Sequence, residues 1–456
     1  MKKYHSLPAF FLVLVFLLGA LSPAALAVED FTVSASSAIL MDADTGEVLF
    51  EMAPDELRYP ASITKVMTGL LTVEAIESGS LSKSDMITLQ PDLYTGIGEG
   101  GSTQNLQAGE VMSVWDLLNC ALIPSANEAC NALAAAVSGD IPTFVELMNK
   151  RAAQLGMTGT HFVNTHGYHD DAHYTTARDV AVMCQAAMSH PMFREVVSSV
   201  SYTVPATNLH EERVLHDTNA LISNNRVQGY LYQYAIGIKT GSTPEAGMCL
   251  ASAAQKNHRT MIGVILGGKN WMKNGEVIPD NYFSESRRLL EHGFNDFSRK
   301  TVLDSIEPID TIPVSLCAQQ DYVTVQPASS IEATLPNSLD PSVFERNVTI
   351  PEALEAPIQK GEVLGKLTLS YEGKEYGTVD LVASTRLEQS QWLVLLQKLE
   401  NLFSKLWVKL LLLAVVLLVL FVALRNAIFG PPSRSRRNRR RGGSAKVYSS
   451  TYRGRR

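Results

Sequence analysis

The sequence predicts a mixed α/β (α+β) domain with an inserted helical subdomain, followed by a small all-β domain and a C-terminal transmembrane helix. Three observations predict this order. Over the first 300 residues, strand patterns give way to helical periodicity and then return. From about residue 300 to 385, short apolar segments alternate with turn residues. Near the end of the chain, Leu410 to Leu424 are 15 consecutive apolar residues.

Length and composition exclude several classes of protein. The chain has 456 residues, of which 46% are hydrophobic and 19% are charged. This length predicts roughly two to four structural units. The apolar content excludes a disordered or low-complexity protein, because it is sufficient to form a packed core.

The charge is unevenly distributed along the chain. All 46 acidic residues lie at or before Glu400, whereas ten arginines and one lysine follow from Arg425 onward. The formal net charge of −7 therefore combines an acidic body with a basic tail. An acidic body repels phosphates, which argues against nucleic acid as a partner.

The N-terminus has the three-part pattern of a secretory signal peptide. Lys2 and Lys3 form a positive region, Phe10 to Ala20 is apolar, and residues 25–27 (Ala-Leu-Ala) fit the small-x-small cleavage rule. An uncleaved membrane anchor is the alternative, but the apolar segment is short for a full span. The sequence therefore predicts an exported protein whose mature chain begins at Val28.

The exported body begins with a predicted β-hairpin and then becomes mostly helical. Within Ser37 to Glu51, two apolar segments flank a turn that contains Gly46. After Pro60, a helical pattern runs from Ser62 to Glu77. Four further helices are predicted, over Val114–Ile123, Glu128–Val137, Phe144–Leu155 and Thr176–Ser189.

Strand patterns return after this helical block. Three strands are predicted over Tyr234–Thr240, Met248–Ala254 and Thr260–Leu266, and a helix over Ser284–Phe297. The small all-β domain is predicted from alternation in Val302–Ile309, Tyr322–Val325 and Ile331–Leu335, and from hairpin patterns at Lys360–Leu367 and Gly377–Val382.

Two segments near the C-terminus are predicted to contact a membrane. Leu406 to Leu424 would span roughly 28 Å at ~1.5 Å per residue, close to the ~30 Å hydrocarbon thickness. By the positive-inside rule, the basic tail from Arg425 to Arg456 then lies in the cytoplasm, where it contacts anionic lipids or a dedicated partner. Residues 392–403 are apolar at helical spacing, which predicts an amphipathic helix on the membrane surface or a stalk helix.

Ser62 and Lys65 are a candidate nucleophile and its base. Residues three apart share one face of a helix, so the hydroxyl and the amine can meet. Serine needs a base beside it, and lysine can serve when its pKa lies well below ~10.4. Burial, a helix N-terminus and a second cation nearby all lower this pKa. The pair alone is weak support, because a helix can contain it by chance.

Two further motifs strengthen this assignment. A Ser-Ala-Asn motif at residues 125–127 lies between two predicted helices, and a Lys-Thr-Gly motif at residues 239–241 ends a predicted strand. The order and spacing of the three motifs resemble those of the penicillin-recognising serine acyl-transferases. The resemblance implies a transpeptidase/β-lactamase-like fold.

The resemblance is closer to the low-molecular-mass D-alanyl-D-alanine carboxypeptidases. It covers residues 35 to 300, and residues 300–385 resemble the second domain of that family. The segments that carry it include Leu106–Glu110, Leu117–Leu118, Ile123–Glu128, Met148–Asn149, Leu155–Met157, Phe162–Asn164 and Thr175–Asp179. One departure is that many members end in an amphipathic anchor, whereas this chain adds an apolar span and a basic tail.

The resemblance implies a serine peptidase that removes the terminal D-alanine from peptidoglycan pentapeptides through an acyl-enzyme and that penicillins acylate. It implies that Ser62 is the nucleophile, Lys65 the base, and Ser125 a proton relay to the leaving amine. Asn127 would hold Lys65 and the substrate backbone.

The same resemblance assigns substrate binding to the Lys-Thr-Gly strand. Lys239 and Thr240 would bind the terminal carboxylate, and Lys239 would also lower the pKa of Lys65. Gly241 would let the strand approach the substrate, and the N–H groups of Ser62 and Ser242 would form the oxyanion hole. The implied partners are the peptidoglycan stem peptide, β-lactam antibiotics as inhibitors and membrane lipids. No cofactor or metal is required.

Two other patterns were considered as sites. His166, His169 and His173, with two aspartates, invite a zinc interpretation, but their spacing matches no helix face well, so a solvated loop is expected. The five cysteines are expected to be buried small hydrophobic residues; a Cys120–Cys130 disulfide or a metal role is the alternative.

A β-lactamase and a non-enzymatic penicillin-binding sensor or wall-binding protein are the rival functions. The first is disfavoured because no Glu-x-x-Leu-Asn pattern follows the Ser-Ala-Asn motif. The second is disfavoured because the basic tail contains no recognisable domain. The predicted organisation is a signal peptide (1–27), a catalytic domain (28–300), a β-rich domain (301–385), a juxtamembrane helix (386–405), a transmembrane helix (406–424) and a cytoplasmic tail (425–456).

Overall fold

The computed structural model describes residues 31–430, so the predicted signal peptide and nearly all of the basic tail lie outside the described residues. The chain divides into two compact units. The first extends to Leu303 and includes Ser330–Glu345, and the second comprises Asp304–Ser329 and the chain from Arg346 onward. The domain boundary predicted near residue 300 stays a prediction, and the segment 330–345 belongs to the first unit.

The described residues form nineteen strands and nine α-helices. The strands are β1 (Ser37–Asp42), β2 (Val48–Met52), β3 (Met86–Thr88), β4 (Val111–Ser113), β5 (Ser201–Val204), β6 (Arg213–His216), β7 (Ala235–Thr243), β8 (Gly247–Lys256), β9 (Arg259–Gly268), β10 (Met272–Lys273), β11 (Glu276–Val277), β12 (Phe297–Leu303), β13 (Asp310–Ser315), β14 (Tyr322–Pro327), β15 (Ile331–Pro336), β16 (Glu345–Thr349), β17 (Leu354–Glu355), β18 (Val363–Tyr371) and β19 (Lys374–Ala383). The helices are α1 (Lys65–Glu77), α2 (Val114–Leu122), α3 (Asn127–Ser138), α4 (Ile141–Gln154), α5 (Ala177–Met188), α6 (Pro191–Val197), α7 (Tyr282–Asn295), α8 (Gln391–Ser404) and α9 (Leu406–Phe429).

An antiparallel five-stranded sheet, in the order β2-β1-β9-β8-β7, is the centre of the first unit. Both faces of this sheet are covered. One hydrophobic cluster includes Val180 of α5, and a second, separate cluster includes Leu289 and Leu290 of α7. Because β8 and β9 contribute residues to both clusters, their sequences are nearly continuous apolar runs rather than alternating ones.

The helices α1–α6 lie between β2 and β7 in the chain, which confirms the predicted helical insertion. Helix α1 is its central element: ten of its 13 residues are buried. Apolar side chains therefore lie on every face of α1, as expected for a helix that is surrounded by other elements. Because α1 begins at Lys65, its burial also buries the lysine amine of the candidate site.

The structure differs from the sequence predictions at short elements. Helix α6 and the hairpins β3–β4 and β5–β6 were not predicted, because strands of three or four residues and a seven-residue helix leave little periodicity. The predicted strand Val302–Ile309 is wrong beyond Leu303. There the Asp304 side chain accepts a hydrogen bond from the N–H of Ile306 at 3.1 Å and forms a turn.

The second unit contains a six-stranded sheet in the order β16-β18-β19-β14-β13-β17, which confirms the predicted all-β character. Its longest hairpin joins β18 to β19. Strand β15 was predicted in this domain but pairs with β12 in the first unit. Helix α8 occupies the predicted amphipathic segment, and α9 contains 23 residues, Leu406–Ile428, that are long and apolar enough to cross a membrane.

Candidate active site

The candidate nucleophile lies in a single 3₁₀ turn, Ala61–Thr64, directly before α1. In a 3₁₀ turn residues three apart are eclipsed, which brings Ser62 over Lys65. The Lys65 Nζ atom lies 2.8 Å from Ser62 Oγ, within hydrogen-bond distance. Ala61 has φ +47°, a left-handed conformation that is rare for a residue with a side chain. Strain of this kind occurs where surrounding structure holds a functional turn in place.

Lys65 is completely buried, and its environment shifts the amine toward the neutral form. Burial lowers the pKa of Lys65 to about 8, while the charges of Cys130 and Glu128 act in the opposite direction. Its Nζ also donates a hydrogen bond to the His166 carbonyl at 2.8 Å. A neutral amine can donate to that carbonyl and still accept the proton of Ser62, as a general base must.

The Ser-Ala-Asn motif occupies the connection between α2 and α3. Ser125 has φ +75° and is 6% exposed, and Asn127 is 4% exposed. The turn is held by two backbone bonds, from Ala126 N–H to the Cys120 carbonyl at 2.9 Å and from Asn127 N–H to the Ser102 carbonyl at 2.9 Å. Ser125 is therefore a second strained, non-glycine position at the site.

The Lys-Thr-Gly motif lies on β7, at the edge of the central sheet. A Cβ atom on Gly241 would lie 3.0 Å from the Pro60 carbonyl oxygen and 3.0 Å from the Ser62 nitrogen. Glycine therefore allows β7 to pass next to the nucleophile turn. The Thr240 hydroxyl lies 2.5 Å from the hydroxyl of Thr218, which follows β6.

Lys239 is buried, at 1% exposure, and its Nζ donates a long hydrogen bond to the Thr240 carbonyl at 3.3 Å. Burial, and then the charge of Lys65, lower the pKa of Lys239; the buried Asp217 carboxylate opposes this. Burial also raises the pKa of Asp217. The charged form of Lys239 is therefore disfavoured in the same way as that of Lys65.

A cleft of about 900 Å³ brings the predicted site residues together. Six of the eight predicted residues line it, namely Ser62, Ser125, Asn127, Thr240, Gly241 and Ser242. Lys65 and Lys239 are buried and do not line it. Other residues in the lining, which sequence reasoning missed, include Glu99, Tyr168, Thr218, Arg226 and Trp271; His169, which was considered only as a metal ligand, also lines the cleft.

The histidine segment is the expected solvated loop only at its centre, where Asp170 and Asp171 are exposed; its two ends are buried. His166 and His173 are 1% and 2% exposed, and burial lowers the pKa of both imidazoles to about 3. His173 Nε2 lies 2.8 Å from the Thr64 hydroxyl, so this segment packs against the nucleophile turn. Within residues 31–430, no group of three or more His, Cys, Asp or Glu side chains is arranged to hold a metal ion.

Gly167 shows why this segment approaches so closely. A Cβ atom there would lie 1.8 Å from the Ala61 carbonyl oxygen, so only glycine fits. Lys65 and His166 are 101 positions apart in the chain, so no local sequence pattern could predict that this segment packs against the nucleophile turn.

The five cysteines are all free and buried, which confirms the expected buried thiols, and burial raises the pKa of Cys130 to about 12.

Comparisons with known proteins show which families this chain resembles. The D-alanyl-D-alanine carboxypeptidase family matches residues 24–270, and the family described as penicillin-binding protein 5, C-terminal domain, matches residues 297–389. The D-alanyl-D-alanine carboxypeptidase DacA of Escherichia coli (strain K12) is 30% identical over 75% of this chain and 81% of its own. DacF of Bacillus subtilis (strain 168) is 27% identical over 80% of this chain and 88% of its own. Penicillin binding protein 5 from Haemophilus influenzae has a TM-score of 0.60 and 26% identity, with 79% of this chain and 100% of that chain covered.

Proposed function

This chain belongs to the D-alanyl-D-alanine carboxypeptidase family of serine peptidases, which acts on peptidoglycan, and we propose that Ser62 is its nucleophile. The single observation that supports this best is the contact of 2.8 Å between Oγ of Ser62, which lines the cleft, and Nζ of the buried Lys65. A serine becomes nucleophilic when a neighbouring base takes its proton. Burial of Lys65 makes its amine such a base.

The acylation step follows from this pair. Lys65 Nζ takes the proton of Ser62, and Ser62 Oγ bonds to the carbonyl carbon between the two terminal D-alanines. The C–N bond then breaks, and Ser125 relays a proton to the leaving amine so that free D-alanine departs. Water attacks the resulting ester, which releases the shortened peptide and restores the Ser62 hydroxyl.

The N–H groups of Ser62 and Ser242 would stabilise the negative oxygen that forms during both attacks. The space at Gly241 supports this: a Cβ atom there would lie only 3.0 Å from the Ser62 nitrogen, so β7 passes next to the nucleophile turn. In comparable enzymes one such donor contributes about 2.7–4 kcal/mol to transition-state stabilisation. Asn127 lines the cleft beside Ser125 and would hold the substrate backbone. Thr240 would bind the terminal carboxylate, with Lys239 behind it.

Release of D-alanine from a pentapeptide tests the proposal. The wild-type protein should release it and Ser62→Ala should not, and fluorescent penicillin should label only the wild type. Labelling without release of D-alanine would indicate a penicillin-binding sensor. Rapid hydrolysis of the penicillin would indicate a β-lactamase.

We also propose that the protein is anchored by α9 as a single membrane span, with the catalytic unit outside and the basic tail in the cytoplasm. The length and apolar character of α9 and the arginines that follow it support this orientation. In intact spheroplasts, protease should remove the body and leave a tail fragment that an antibody detects. A protected body would contradict the proposed topology.

A further inference from the structure

A buried carboxylate next to the Ser-Ala-Asn motif takes no part in the acylation step described above. Glu128 lies in the first turn of α3 and is completely buried. Its Oε1 atom accepts hydrogen bonds from the Thr103 hydroxyl at 2.7 Å and from the Gln104 N–H at 2.6 Å. Its Oε2 atom is buried and has no hydrogen-bond partner within residues 31–430. Burying a carboxylate with one unpaired oxygen is unfavourable, so another property of the site must favour it.

The hydrogen bonds of Glu128 hold one wall of the cleft. Residues 99–102 form this cleft wall, and the two donors to Glu128 follow it directly in the chain. The Ser102 carbonyl accepts a hydrogen bond from the Asn127 N–H at 2.9 Å. A Cβ atom on Gly101 would lie 3.1 Å from Nδ2 of Asn127, so the cleft wall also passes next to that side chain. Glu128 therefore fixes the cleft wall beside the residue proposed to hold the substrate backbone.

A second side chain of α3 holds the start of the same loop. Asn131 Nδ2 donates hydrogen bonds to the Leu93 carbonyl at 2.9 Å and to the Thr95 carbonyl at 3.0 Å. Its Oδ1 atom accepts a hydrogen bond from the Thr165 hydroxyl at 2.6 Å, and Thr165 directly precedes His166. The N-terminal half of α3 thus connects the cleft wall to the segment that contacts the base.

The charge of Glu128 also acts on Lys65. After the larger effect of burial, which lowers the pKa of Lys65, the charges of Cys130 and Glu128 raise it. The titratable groups that face Lys65 besides Glu128 are Cys130 of α3, His166, His173 and Lys239 of β7. The two imidazoles have a pKa of about 3 and the thiol a pKa of about 12, so all three are neutral near pH 7 to pH 9. Among these groups, Glu128 is therefore the one that supplies negative charge in this range.

We propose that Glu128 is a positioning residue for acylation, which holds the cleft wall beside Asn127 and whose negative charge acts on the Lys65 amine. The hydrogen bonds of Oε1 account for the first role. The unpaired Oε2 atom is consistent with the second, because no donor offsets its charge. The charge makes Lys65 a stronger base for the Ser62 proton. This assignment rests on the proposed function, because it takes Lys65 as the base.

The test is the pH profile of the second-order rate of acylation by penicillin, measured on the full chain. Glu128→Gln keeps an acceptor oxygen for the cleft wall but removes the charge. Thr103→Val removes the hydroxyl donor but leaves the charge. Glu146→Gln is the matched control, because Glu146 is an exposed glutamate of α4 in the same unit and does not line the cleft.

The two variants should change different features of the profile. Wild type and Glu146→Gln should reach half of the plateau rate near pH 8. Glu128→Gln should shift this midpoint to lower pH, because the charge that raises the pKa of Lys65 is gone. A purely structural role would not move the midpoint. Thr103→Val should keep the wild-type midpoint and lose about 10- to 10²-fold in plateau rate, the cost of a small misplacement at the site.

Two outcomes would overturn the assignment. One is a Glu128→Gln midpoint at or above that of the wild type, and the other is a Thr103→Val variant that acylates at the wild-type rate. If Glu128→Gln does not fold, Glu128→Asp replaces it: this variant keeps the charge, so its midpoint should stay near pH 8 while its plateau rate falls, and a shifted midpoint overturns the assignment. If the wild type is not acylated at Ser62, the proposed function fails. If it is acylated with a midpoint near pH 8 but the variants do not separate, only the Glu128 assignment fails.

Discussion

The two units bury different kinds of residue. The first unit buries the ionisable side chains of Lys65, Lys239 and Glu110, all at 1% exposure or less. In the described part of the second unit, no Lys, Arg, Asp or Glu is buried, and its core consists of residues such as Leu367 and Leu381. Burying a charge is unfavourable unless it is paired or neutralised. In the first unit, the two buried lysines belong to the candidate active site and Glu110 is paired with Arg213. The described core of the second unit is apolar, as expected of a scaffold.

The largest expected effect is at the buried base. Lys65→Arg keeps a cation but removes the base, because a guanidinium stays protonated in proteins. Acylation by penicillin should slow by about 10²–10⁴-fold, the usual contribution of a general base. The measurement is the second-order acylation rate. Lys366→Arg, at an exposed position of β18 in the second unit, is the control and should be unchanged. A variant of Lys65 that acylates nearly as fast as wild type would refute the assignment of the base.

The second-largest effect is expected on the free energy of unfolding. It is tested with one ion pair from each unit. Arg213 Nη1 lies 2.6 Å from Glu110 Oε1, with side-chain exposures of 5% and 0%. Glu110→Gln leaves the Arg213 charge buried and unpaired, which should lower the free energy of unfolding by about 3–5 kcal/mol.

The matched control for this pair is Glu307→Gln. Its partner Arg346 lies 2.6 Å away in the second unit, with side-chain exposures of 36% and 37%. An exposed pair contributes about 0–1 kcal/mol, so this variant should unfold almost like the wild type. Denaturant unfolding followed for each unit gives both values. An equal loss of unfolding free energy in the two variants would contradict the inference that only the first unit depends on a buried ion pair.

A third effect is the pH dependence of acylation. Because burial lowers the pKa of Lys65 to about 8, the neutral base is the minor form below that pH and the major form above it. The acylation rate should therefore rise about tenfold from pH 7 to pH 9 and level off above it. Stopped-flow acylation across this range measures the profile. A rate that is flat from pH 6 to pH 9 would show that Lys65 is not the titrating base.

The smallest effect is expected from removal of the membrane segments. Truncation after Ser390 deletes α8 and α9 but none of the residues that line the cleft. The truncated protein should be soluble and should acylate at the rate of the full chain. A truncated form that folds but fails to acylate would show that the catalytic unit depends on these helices.

Much of the fold was predictable because its signals are local. The hairpin β1–β2, the helical insertion and the strands β7–β9 each follow from periodicity within about 15 residues. The three motifs identified the site residues by type and order. Strand β15 was misplaced for the opposite reason: alternation in Ile331–Leu335 predicts a strand, but it does not say which strand will pair with it.

The sequence by itself determined the apolar C-terminal span and the α/β order, because each depends on neighbouring residues. It also supplied the nucleophile candidate and the two lysines, through the order and spacing of three motifs that resemble those of a known family. Only the tertiary structure decided that both lysines are buried, what contacts the base and which other residues line the cleft. The His166 carbonyl reaches Lys65 from 101 positions away along the chain. Burial, which lowers the pKa of Lys65 and keeps Lys239 out of the cleft, is a property of packing from many segments. No local pattern encodes it, because desolvation depends on the surrounding atoms wherever they lie in the chain.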